Sequence, residues 1–271
     1  MANAVRRTLV AAIVGIAILA ACGIGLWALW RAVQSHTVAE ECRVGNYTLD
    51  PSQASVASTM VGVVITKQVP ERAAVLVLAA GLQESKLANI PAGEGDRDSV
   101  GVLQQRPSQG WGTAAQLHDV HFATRAFLTA LLKIDNWQTM DLADAIQAVQ
   151  ISADGSAYAR HEGEAQALSD ALTGRAPAGI TCTFPKPSQV AAAAKVASLI
   201  GKDLPVNKPV AVEPTVKVPG ASWTTAAWFV ANADRLGIDS VAYSRREWTR
   251  AHGWRDNKDA ATTAVIATMH K

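Results

Sequence analysis

Between Ala73 and Leu82 the chain reads AAVLVLAAGL, with no polar side chain in the run. A helix that is apolar on every side cannot lie on a surface; other elements have to enclose it. Pro70 and Glu71 open this segment, and Gln83, Glu84 and Ser85 close it. The chain must therefore supply enough further structure to surround one central helix. That helix also ends on a carboxyl group at the margin of an apolar interior, where a charge is costly.

The surrounding helices can be read from capping residues and periodicity. Asp50, Pro51 and Gln53 start one through "LDPSQASVASTMVGVVITK", by a cap, a proline at the first position and a capping box. Helical spacing resumes in "HFATRAFLTALLKI", in "LADAIQAVQISA" after Asp141, and in "YARHEGEAQALSDALTG", where Gly174 is a natural stop. From Asn89 to Thr113 the pattern breaks into Gly, Pro and Asp, which predicts a loop with a short strand or hairpin around Ser99–Gln104. Clefts form at such interruptions. Beyond Cys182, "SQVAAAAKVASLIG" is a small helix and "LPVNKPVAVEPTVKVPG" reads as a linker or edge-strand region. "SWTTAAWFVANADRLG" is a further helix, and "SVAYS" and "TAVIATM" read as strands separated by "REWTRAHGWRDNKD". Trp223, Trp228, Trp248 and Trp254 are read as core and rim of this last part rather than as a sugar-binding row, since a small unit needs large side chains. No partner for that part can be named.

The expected fold class is thus mainly α. It comprises an anchor over 1–35, a helical domain with a short β-hairpin over 36–182, a helix and linker over 183–219, and a small α+β module over 220–271. The anchor rests on the uncharged run Leu9–Trp30, which has about the 20 residues that cross a bilayer. Arg6 and Arg7 before it, with Glu40 and Glu41 after it, favour a cytoplasmic N-terminus and an outward-facing remainder at the cell membrane. "LAAC" at Leu19–Cys22 offers an alternative, a lipoprotein anchored at Cys22. The uncleaved anchor is preferred, because the apolar run continues past that cysteine. Cys42 and Cys182 flank the helical domain, and in an oxidising compartment a disulfide between them would tie its ends together; two unpaired thiols are the alternative. With Lys+Arg at 25 against Asp+Glu at 23, the charge of +2 leaves no footprint for nucleic acid.

Chemistry centres on Glu84. Cleaving a glycosidic bond needs a carboxylic acid that keeps its proton near neutral pH, and an apolar surrounding at the negative end of a helix raises a glutamate's pKa in that direction. An ordinary solvated glutamate at a helix end is the alternative. The neighbourhood favours the first reading. Glu84-Ser85 followed by Gly101-Val102-Leu103-Gln104 in "SVGVLQQ" resembles the Glu-Ser and Gly-Leu-Met-Gln motifs of the lysozyme-like lytic transglycosylases, the soluble lytic transglycosylase and goose-type lysozyme group. The longer run "LQESKL…GDRDSVGVLQQRPSQGWGT" resembles an actinobacterial, membrane-anchored branch of that superfamily, over about half the chain.

That resemblance implies a lysozyme-like helical domain in which Glu84 is the acid/base and Ser85 helps hold substrate. Gly101, Gln104 and the adjoining Gln105 would lie in the loop under the cleft. A third motif is only faintly echoed by "AVQISADGSAYA", which would make Gln150 and Tyr158 cleft residues. Trp111, between glycines, is read either as a sugar-stacking indole or as an aromatic packed on the core. Asp96 and Asp98 are candidates for a second carboxylate, with turn-capping as the alternative. His118 and His121 lack a cluster that would make a metal site, and no cofactor is implied. The expected activity is cleavage of peptidoglycan glycan strands by a single glutamate, as a lytic transglycosylase or muramidase. The rival is a non-catalytic peptidoglycan-binding or scaffolding protein.

Overall fold

The protein is described by a computed structural model over residues 20, 22–27, 40–152, 154–220 and 222–271. Residues 40–271 belong to one unit. It opens with a hairpin of β1 (Glu41–Val44) and β2 (Tyr47–Leu49), turned at Gly45 in a positive-φ conformation. The helix α1 (Pro51–Thr66) comes next, with proline at its first turn, where Gln53 Oε1 accepts the Asp50 N–H at 2.6 Å. After it comes α2 (Arg72–Ser85), in which every residue from Ala73 to Leu82 is buried. α2 ends because Lys86 adopts the left-handed conformation, at φ +55°. The Lys86 carbonyl then accepts the Gln53 Nε2 at 2.8 Å, so the start of α1 holds the end of α2.

The central helix is enclosed by α1, α4 (Val120–Leu131), α5 (Leu142–Gln150) and α6 (Glu162–Leu172), with the short α3 (Ala114–Leu117) preceding α4. A 3-10 turn, Gly155–His161, carries the chain from α5 into α6 and also packs on α2. α4 is capped by Asp119, whose side chain accepts the His121 and Phe122 backbone N–H groups.

The fold is not mainly α. Strand makes up 17% of the chain beside 45% helix, and it forms two antiparallel sheets, so the class is α+β. The first sheet has the order β2-β1-β3, with β3 at Ile180–Thr183. The second is six-stranded, in the order β4-β5-β9-β6-β7-β8. Its strands are β4 (Val210–Val212), β5 (Thr215–Pro219), β6 (Ile238–Tyr243), β7 (Arg246–Thr249), β8 (Gly253–Asp256) and β9 (Ala264–Met269). Of the two readings of "LPVNKPVAVEPTVKVPG", linker or edge strand, the second holds: it supplies the edge strand β4 and its neighbour β5, in which Val216 and Val218 alternate into the core on the two-residue period of a strand. "REWTRAHGWRDNKD", expected only to separate two strands, folds as the β7–β8 hairpin, in which Trp248 faces Trp254. In this hairpin charges fall on both faces, Arg246 and Asp256 beside the tryptophans and Glu247 and Arg255 opposite, which hides the alternation that marks a strand. In the opposite sense, the hairpin expected at Ser99–Gln104 is reduced to a single bridge, Val100 with Gln105.

The expected membrane-spanning helix falls largely outside the described residues. Among the described residues no helix is long and apolar enough to cross a membrane. Most of the run Leu9–Trp30 lies outside the described residues; within it, Cys22–Trp27 are helical and Cys22 is an exposed free thiol.

α7 (Ala193–Asp203) and α8 (Trp223–Ala231), the latter continued by the single turn α9 (Ala233–Leu236), join helices and sheets. α8 packs on α1 and α6 on one side and on β3, β6 and β9 on the other. One hydrophobic core, from Cys42 to Met269, includes both Trp228 and Trp248. Several polar groups inside it are satisfied across long stretches of sequence. Trp248 Nε1 donates to the Cys182 carbonyl at 2.9 Å, and Trp228 Nε1 to Asp203 Oδ2 at 2.9 Å. Arg250, buried, donates to the carbonyls of Pro185, Ala233 and Ile238 and to Asp234. Cys42 lies directly opposite Cys182 in the β1–β3 ladder, and the two form a disulfide.

Candidate active site

Glu84 stands on the last turn of α2, half-buried where the apolar helix reaches its end. Tyr158, fully buried in the 3-10 turn, donates its hydroxyl to Glu84 Oε1 at 2.6 Å. Gln150, the last residue of α5, approaches from a third direction. Its Nε2 donates to the Leu103 carbonyl at 2.9 Å, and its amide also hydrogen-bonds the Glu84 carboxyl. Three separate pieces of chain therefore meet at one carboxyl group.

Burial raises the Glu84 pKa above the ordinary carboxylate value, and the hydrogen bonds from Tyr158 and Gln150 pull it part of the way back. The Tyr158 phenol is itself held well above its usual range, first by burial and then by bonding to Glu84, with a hydrogen bond to Ser152 opposing. Such a tyrosine keeps its proton and acts as a donor. A carboxyl that is protonated more readily than usual, yet has two donors ready for its anionic form, can both give and take back a proton.

The loop beneath is fastened to the same centre. Ser85 Oγ donates to the Val102 carbonyl at 2.8 Å and the Gly81 carbonyl at 3.2 Å, so this serine ties helix to loop. Gly101 has φ +78°, and a Cβ there would stand 2.2 Å from the Leu117 carbonyl oxygen. Only glycine fits so close a passage of backbone. Gln104, at φ +45°, donates its Nε2 back to the Gly101 carbonyl at 2.9 Å. Ser85 and Gln150 are thus linked to the loop that carries Gly101 and Gln104, while Tyr158 is bonded to Glu84 itself. Gln105 is placed otherwise: it is buried, with its Nε2 directed at the Ala123 carbonyl at 3.4 Å.

The remaining candidates lie in other settings. Asp98 is clamped by the Ser108 hydroxyl and backbone N–H and by Arg106 Nε at 2.6 Å, which together hold its carboxyl far below the usual range. Asp96 is exposed beside Arg97, at 3.8 Å. Trp111 is half-buried against the core. His118 is exposed, and His121 Nε2 lies 2.8 Å from Asp203 Oδ1. Among the described residues no group of three or more His, Cys, Asp or Glu side chains could hold a metal ion.

Two residues beside the centre are not among those to which the sequence points. Arg160 Nη2 and His161 Nε2 both bond Gln83 Oε1, at 2.7 and 3.0 Å. Burial, and then the charge of Arg160, pushes the His161 imidazole below its usual pKa. Ser152 is a third such residue: its hydroxyl donates to Gln147 Oε1 at 2.7 Å and bonds Tyr158. The sequence signal for the pair is their position two and three residues after Tyr158. It is hidden because "YARHEGEAQ" has the spacing of continuous α-helix, whereas the chain is 3-10 up to His161.

Searches against family models and against curated proteins found no match for the chain.

Proposed function

We propose that this protein cleaves the glycan strands of peptidoglycan at the bond between N-acetylmuramic acid and N-acetylglucosamine, as a lytic transglycosylase or muramidase, with Glu84 as its general acid and base. The supporting observation is the environment of Glu84: a carboxyl raised in pKa by burial, at the end of an apolar helix, bonded to the hydroxyl of a buried tyrosine. The motif resemblance of Glu84-Ser85 and Gly101–Gln104 supports the same reading, and the loop carrying the second motif is bonded to Ser85 and Gln150.

In this mechanism the protonated Glu84 delivers its proton to the glycosidic oxygen as the bond to the anomeric carbon breaks. The carboxylate left behind is met by the Tyr158 hydroxyl and the Gln150 amide. It then takes a proton from the attacking group, either the substrate's own 6-hydroxyl, which gives an anhydro end, or water, which gives a reducing end. The chemistry requires no cofactor. The Cys42–Cys182 disulfide supports an outward-facing location, since such bonds persist in oxidising compartments.

Glu84→Gln keeps the shape and removes the acid. It is expected to abolish release of muropeptides from purified cell walls, a loss of at least about a hundredfold, while sedimentation with the walls is retained. Mass spectrometry of the products from the unaltered protein distinguishes anhydro from reducing ends. Equal muropeptide release by the two proteins would overturn the proposal and leave a wall-binding role.

A further inference from the structure

On α4 and just past its end, Arg125, Thr129 and Lys133 recur every four residues, and all three are exposed. Residues at that spacing share one side of a helix. They line a groove of ≈ 480 Å³ together with Lys67, Trp111 and Phe122. That volume is in the range of about 300–1,000 Å³ typical of ligand sites.

The aromatic wall is set by backbone geometry. Gly110 and Gly112, on either side of Trp111, have φ +80° and +146°. A Cβ at position 112 would come within 2.8 Å of the Phe122 ring, so the chain there runs flat against Phe122. Trp111 is thereby held half-buried at the rim of the groove.

The charges are one-sided. Lys67, Arg125 and Lys133 are its ionisable lining residues, and no carboxylate joins them. Among the described residues none of the three takes part in an ion pair. Like charges gathered in a concave surface without counter-charges raise the local potential and favour an anion. An indole at the rim adds a flat apolar surface of the kind that receives a ring.

We propose that this groove binds an anionic saccharide, with a sugar ring against Trp111 and its carboxylate or phosphate groups on Lys67, Arg125 and Lys133. The choice of a saccharide over other anions rests on the glycan-cleaving reading of Glu84; the preference for an anion does not. A nucleic acid would satisfy the same charges, but the disulfide argues for a compartment where it is not the ordinary polyanion.

The test is isothermal titration calorimetry of the full chain with four probes of matched length: an oligogalacturonate for carboxylate, a phosphomannan oligosaccharide for phosphate, a neutral chito-oligosaccharide, and a single-stranded oligonucleotide. At least one charged saccharide is expected to bind more tightly than the neutral one, and less tightly as salt rises. The combined variant Lys67→Gln, Arg125→Gln, Lys133→Gln should lose about tenfold in affinity for it. All three side chains are exposed, and circular dichroism verifies that the variant is folded. Glu84→Gln should bind the charged probe as the unaltered protein does. Unchanged affinity in the triple variant, equal binding of the neutral probe, or tighter binding of the oligonucleotide would each overturn the proposal. Muropeptide release reads the Glu84 site separately, so retained release by Glu84→Gln together with lost binding by the triple variant would refute glycan cleavage and leave the groove standing.

Discussion

At the scale of single residues, the working unit is a carboxyl with two donors. Glu84 resists ionisation because it is partly out of water, and Tyr158 and Gln150 limit how far that resistance goes. If protonated Glu84 is the active form, the rate should fall as pH rises through its pKa. Tyr158→Phe removes a donor that favours the anion, so the pKa should rise and the falling limb should move to higher pH. The maximal rate should drop about tenfold, because the carboxylate formed in the reaction loses a charge-assisted hydrogen bond. Profiles of kcat against pH for the two proteins check both points; a limb displaced to lower pH would contradict the assigned role of the tyrosine. Much at this scale is legible in the sequence. An apolar run ending on Glu84 needs only hydropathy to be noticed, whereas the Ser152 and Arg160–His161 contacts depend on where a 3-10 turn gives way to α-helix, and composition does not encode that boundary.

At the scale of elements, the loop from Ser99 to Gln105 serves as a platform. Its Val102 and Leu103 carbonyls are the points where Ser85 and Gln150 attach, and Gly101 lets it pass beneath Leu117. Gly101→Ala puts a methyl group against a backbone oxygen that has little freedom to withdraw, in a conformation unfavourable for alanine. We expect a destabilisation of about 1–3 kcal/mol, seen as a lower urea midpoint at unchanged slope, together with a loss of muropeptide release that exceeds the loss of folded protein. The glycine and polar residues announce a loop here, but the alternation in "SVGVLQQ" also suggests a hairpin. The structure takes the loop, because the bonds that would have formed a ladder go instead to Ile90 and to neighbouring side chains.

At the scale of the whole molecule, helices are easier to read than sheets. A buried helix announces itself over ten or more residues, as Ala73–Leu82 does. The strands are three to six residues long, and several carry Arg, Glu or Lys on their outer face, so their period is short and interrupted. The partners that stabilise them are far away in sequence: β5 pairs with β9, and β1 with β3, which no local pattern could indicate. The disulfide acts at this scale too. It closes a span of 140 residues, for which the chain-entropy model gives about 5 kcal/mol. The double substitution Cys42→Ser, Cys182→Ser should cost about 3–5 kcal/mol, and dithiothreitol should shift the urea transition of the unaltered protein but not that of the variant.

The same bond has a topological effect. Since Cys42 and Cys182 face each other across two paired strands, every residue of the proposed site lies on a closed ring of polypeptide. A protease cutting the exposed stretch from Pro91 to Glu94 would open that ring without separating anything: two peptides would remain one molecule, still held around Glu84 by its packing, until a reductant reached the sulfurs.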